Sequence, residues 1–129
     1  MTITEAQLEQ LCLQWFQDTG WSYAHGPDIA PEGDSPERAD YRAVVLKNRL
    51  SQAVQRINPH LPPAVFDTVV HLVTTPDHPS LIQNNRTFHR LLMEGVSVEF
   101  TRDDKKEADH AQLIDFANPE NNDFLVVNQ

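Results

Sequence analysis

Residues 113–129 read LIDFANPENNDFLVVNQ. An apolar run around Ile114 gives way to an Asn-Pro and Asn-Asn turn, and a second apolar run follows from Phe124 to Val127. Short apolar runs on either side of a turn cluster argue for sheet structure at this end of the chain. A last strand with no partner after it would leave backbone donors and acceptors open and apolar side chains half covered. The chain is therefore expected to be the front part of a larger folding unit.

Working back from this segment, Val96, Val98 and Phe100 alternate with polar residues, which is the period of a half-buried strand. Three successive strands are expected, around 96–100, from Gln112 to Phe116 and from Phe124 to Val127. Between the first two, RDDKKEAD carries the one Lys-Lys pair, Lys105-Lys106, among a majority of acids and reads as a solvated loop.

Upstream the period is helical. Thr4 and Gln7 form a capping-box pattern ahead of Leu8, Leu11, Cys12, Trp15 and Phe16, and Gly20 ends that helix. WSYAH at 21–25 has the aromatic content of a short strand, and a Pro- and Gly-rich loop follows. Ser35-Pro36 resembles a helix start with proline at the first helical position, and predicts a long helix through Val44, Val45, Leu50, Val54 and Ile57 to the stop at Asn58-Pro59. A further helix is expected from Ala64 to Val73, and another through Leu81, Ile82, Phe88, Leu91 and Leu92, closed by Gly95. The order gives a mixed α/β fold with the helices on one face of a mixed or antiparallel sheet.

Composition narrows the function. The 129 residues suit one domain, with 40% hydrophobic and 22% charged residues, as in a folded soluble chain. A net charge of −9 with scattered Lys and Arg argues against a free-standing binder of the phosphate backbone. The N-terminus MTITEAQLEQ lacks a basic patch followed by an apolar core, and no run approaches the length of a membrane span. The lone Cys12 gives no disulfide framework, suits the reducing cytoplasm, and is expected to be a small buried hydrophobe.

Spacing excludes several chemistries. Gly20, Gly26, Gly33 and Gly95 form neither GxGxxG nor a P-loop, so no phosphate cradle is encoded here. The six histidines are never four apart on one helix, which disfavours zinc, and the G-x-S-x-G nucleophile elbow is absent.

Two acids stand out. At 100° per residue Glu5 and Glu9 lie on the side of Cys12 and Phe16, away from Gln7, Gln10, Gln14 and Gln17. Like charges four apart repel by a few tenths of a kcal/mol, roughly, so the pair calls for a cation or a function. For Glu5 the helix dipole is reason enough. For Glu9 a salt bridge to Arg or Lys stands beside a carboxylate turned toward a metal-dependent cleft. Asp115, inside LIDF, either caps the turn at Asn118-Pro119, lies on an outer face, or joins a helix carboxylate in holding Mg²⁺.

Four stretches together resemble a known family: TEAQLEQLCLQWFQDTGWSYAHGPDIAP at 4–31, SPERADYRAVVLKNRLSQAVQRINPHLP at 35–62, LIQNNRTFHRLLMEGVSVEF at 81–100, and the closing 113–129. In order and spacing they are similar to the start of the R (restriction and motor) subunit of type I restriction–modification enzymes. The resemblance implies a partial restriction-endonuclease-like fold of the PD-(D/E)xK class. It also implies Mg²⁺ and ATP as cofactors of the intact subunit, and DNA and the M and S subunits as partners. The family's metal-binding aspartate and Glu-x-Lys lie on strands after VVNQ; Glu99, followed by Phe100 and Thr101, does not supply that triplet. Residues 1–129 are thus expected to hold the leading helix and scaffold of the nuclease domain, inactive alone. The first-helix acid, Glu9 before Glu5, matches a position from which some members of this nuclease class contribute a carboxylate to the cleft. The competing expectation is a non-enzymatic acidic docking module, and either form could self-associate through an open sheet edge.

Overall fold

A computed structural model describes residues 2–129, and the chain divides into two compact units. One comprises the segment up to Leu46 with the returning Asp123–Gln129; the other is Lys47–Asn122.

The first unit begins with α1, Glu5–Asp18. Thr4 closes its N-terminus as a full capping box, its hydroxyl accepting from the Gln7 N–H at 3.2 Å while the Gln7 carboxamide accepts from the Thr4 N–H at 2.9 Å. Gly20, at φ 100°, then turns the chain into β1, Ser22–Ala24. The strand expected at the end of the chain is present as β4, Leu125–Val127 (β2 and β3 lie in the second unit), and it has a partner: β1 and β4 pair in parallel, Tyr23 opposite Val126. Trp21 lies between Phe16 and Phe124, with centroids 5.1 and 5.2 Å away, and so ties α1 to the entry of β4. After β1 comes a four-residue helix, α2, Gly26–Ile29.

The long helix expected from Pro36 does not form. Residues 35–46 are irregular because side chains take the backbone bonds a helix would need. The Asp40 carboxylate accepts from the N–H groups of Arg42 and Ala43, and the Arg38 guanidinium donates to the carbonyls of Tyr41 and Ala43. Helix begins only at α3, Lys47–Ile57, in the second unit.

In that unit a 3₁₀ turn, Pro63–Val65, leads into α4, Phe66–Thr74. Helix α5, Leu81–Glu94, follows, capped by Ser80 and closed at Gly95 with φ 83°. Two strands then form a hairpin, β2 (Val96–Arg102) and β3 (Lys105–Ala111). The core joins Val54 of α3, Leu61, Val65, Phe66 and Val69 to Val96, Val98 and Ala111 of the hairpin.

The mixed α/β class is as expected, but the single sheet is not. Among the described residues there are two separate two-stranded sheets, one parallel and one antiparallel. The segment expected to be a solvated loop is most of β3, because Asp103 and Asp104, at φ 52° and 62°, make the two-residue turn that closes a hairpin. The expected strand at Gln112–Phe116 is irregular instead. Its backbone is satisfied by side-chain amides: Asn58, fully buried, accepts from the Gln112 N–H and donates to the Gln112 carbonyl, both at 2.8 Å. Asn122 does the same for Asp115, at 2.8 and 3.0 Å.

Candidate functional site

The face of α1 predicted from helical spacing is the face that lines a cleft. Glu5, Ala6, Glu9, Cys12, Leu13 and Phe16 form one wall, and Val126–Gln129 form the other, around a cavity of about 740 Å³. Within one unit the fold therefore brings both carboxylates to the carboxyl end of a parallel strand, the place where open α/β sheets bind ligands. Among the described residues neither Glu5 nor Glu9 has an ion-pair partner, so the salt bridge weighed for Glu9 does not form. Cys12 is half-buried and lines this cleft rather than sitting in a closed core.

The carboxyl ends of the two strands are tied by residues that sequence reasoning did not single out. The Asn128 side-chain oxygen accepts from the Gly26 N–H at 2.8 Å and contacts His25 Nδ1 at 3.2 Å. His25 Nδ1 also lies 3.3 Å from the Tyr23 hydroxyl. Gly26 is required here: a Cβ would lie 2.1 Å from the Asn128 carbonyl oxygen. Only the parallel pairing brings residues 25 and 128 together, and no local pattern announces it.

Asp115 belongs to the other unit, and both of its oxygens are engaged. One accepts from the Asn118 N–H at 2.9 Å, the other from the Asn121 side-chain amide at 3.1 Å. These bonds, the Asn118 N–H first, hold its carboxyl below the usual carboxylate value against a smaller opposing effect of desolvation. The carboxylate serves as the cap of the Asn118–Asn122 turn.

By donor type, carboxylate and amide oxygens in the α1 cleft suit a hard divalent cation. They are few, however. Among the described residues no group of three His, Cys, Asp or Glu side chains is placed to hold a metal.

Comparison with known proteins decides the lineage. Residues 2–129 match the family model described as type I restriction enzyme R protein N terminus. The chain belongs to that family. It is 38% identical over 127 residues to the type I restriction enzyme HindI endonuclease subunit of Haemophilus influenzae, covering 98% of this chain and 12% of that protein. It is 37% identical over 122 residues to the putative type I restriction enzyme MjaIXP endonuclease subunit of Methanocaldococcus jannaschii, covering 95% of this chain and again 12% of the relative. The R-protein N-terminal sequence thus spans about one eighth of the length of these relatives. No solved structure matches it. No helix among the described residues is long and apolar enough to cross a membrane.

Proposed function

We propose that this chain is the leading part of the nuclease domain of a type I restriction endonuclease subunit, and that Glu9 contributes a carboxylate to its cleavage cleft. The observation that carries the reading is the placement of Glu5 and Glu9 opposite the exit of β4, in a chain whose family and relatives are R-subunit proteins. The intact subunit would cut unmodified DNA after ATP-driven translocation, in complex with the subunits that recognise and methylate the site, in the cytoplasm.

Bound Mg²⁺ would polarise the scissile phosphate and stabilise developing charge. Glu9 would be one oxygen donor and Glu5 a secondary one, with the remaining ligands supplied outside these residues. The part played by this chain's own residues is positional. The capping box fixes the start of α1, the Trp21 stack fixes its distance from β4, and Asn128 holds the strand ends together. Asp115 lies in the other unit, and each of its oxygens accepts a turn hydrogen bond, so it is not among the donors proposed here.

Glu9→Gln in the intact subunit should lower DNA nicking by at least tenfold while ATP hydrolysis stays within twofold. Equal loss of both activities, or of neither, would make Glu9 a structural acid. A reading frame continuing past Gln129 into an Asp and Glu-x-Lys pair and then a Walker A loop supports the nuclease. A frame without them leaves the docking-module reading in its place.

A further inference from the structure

The hairpin of the second unit has two free edges, and they differ. Asp103-Asp104 is a two-residue turn, so Arg102 and Lys105, which flank it, exchange backbone hydrogen bonds, and pairs alternate from there. Val96, Val98, Phe100 and Arg102 point their backbone groups at β3, whereas Ser97, Glu99 and Thr101 point theirs outward. No backbone bond outside the hairpin uses these outward groups among the described residues.

The outward edge of β2 borders a groove of about 330 Å³ whose far wall is Pro62, Ala64, Val65 and Thr68. The edge of β3 is different. Its residues Lys105, Lys106, Glu107, Asp109 and His110 are charged or titratable and exposed, the pattern by which natural sheets discourage edge pairing. The groove is therefore next to the less protected edge.

We propose that the β2 edge is a strand-addition site for an extended basic segment of another polypeptide, whose backbone pairs with Ser97, Glu99 and Thr101. Alternation sets the chemistry of that segment. Side chains on the helix side of the sheet meet Pro62, Ala64 and Val65 and should be apolar. Those on the open face meet exposed Glu99 and should be Lys or Arg. The chain's net charge of −9 favours a basic partner further. A second copy of this chain fits poorly, since two β2 edges pairing about a two-fold axis at Glu99 would oppose two carboxylates. The proposal does not depend on the nuclease reading.

The test is amide hydrogen exchange and chemical-shift titration by NMR on the 129-residue chain, with the peptide acetyl-Val-Lys-Val-Lys-Val-amide as probe. The expected result is slower exchange at Ser97, Glu99 and Thr101 and no change at Lys106, Ala108 and His110. Glu99→Lys, at an exposed position that leaves the core intact, should weaken this peptide by up to about fivefold and favour acetyl-Val-Glu-Val-Glu-Val-amide by a similar factor. Protection on β3, no protection on β2, or indifference to the charge swap would each overturn the site. Concentration-dependent protection of the same amides without peptide would make a second copy the occupant and overturn it equally.

Discussion

Two side chains in the second unit show how much one residue can decide. Asn58 is 0% exposed and makes three hydrogen bonds, to the Val54 carbonyl and to both backbone groups of Gln112. Asn58→Ala would strand the Gln112 amide and carbonyl and should cost about 2–3 kcal/mol, read from the urea midpoint at constant m-value. A change below about 0.5 kcal/mol would show that water replaces the carboxamide. Asp115 predicts a pH effect. Its folded-state pKa is depressed, so its stabilisation is complete above the ordinary carboxylate value of 3.8 and is lost as pH falls through the lower folded value. Asp115→Asn should therefore be less stable than the parent at neutral pH, with the difference shrinking below pH 3.8. A difference that is flat with pH would mean that the charge of the carboxylate is not what the turn uses.

At the scale of elements, the hairpin turn holds two non-glycine residues in the left-handed region. Asp103 and Asp104 both sit at positive φ, a region open to Asp but better suited to Asn-Gly. Asp103→Asn with Asp104→Gly should stabilise the second unit by about 0.5–1 kcal/mol without altering the Val96–Ala111 register. Thermal unfolding checks the first part and cross-strand NOEs the second; a lower midpoint would mean that the aspartates serve another purpose. The same turn explains why β3 was not legible. KKEADHA is almost wholly polar, so no alternation of apolar residues marks it, and it becomes a strand because β2 supplies the ladder and the turn supplies the register. The converse error at Gln112–Phe116 has the mirror cause: an apolar run whose backbone partners are carboxamides rather than a neighbouring strand. Helices with strong end signals were easier. The capping box at Thr4, Ser80 before Leu81 and Gly95 after Glu94 all stand where their local chemistry puts them.

For the whole molecule, charge makes the plainest prediction. With a net charge of −9 and no basic cluster, the chain alone should bind duplex DNA more weakly than about 10⁻⁴ M at physiological salt. Fluorescence anisotropy with a labelled duplex tests this, and tight binding with a steep salt dependence would reveal a basic surface that the scattered Lys and Arg do not form. The division into two units, with the last residues returning to the first, is a property no local window contains. The sequence by itself determined the mixed α/β class, the ends of α1 and the close of α5, the shared face of Glu5, Glu9, Cys12 and Phe16, and the family, because caps, periodicity and ordered motifs act over a few residues. Only the tertiary structure decided that β4 pairs with β1, that Asn128 meets His25 and Gly26, and that β2 keeps an open edge. Each of those depends on strand pairing, whose hydrogen bonds lie between segments far apart in the chain.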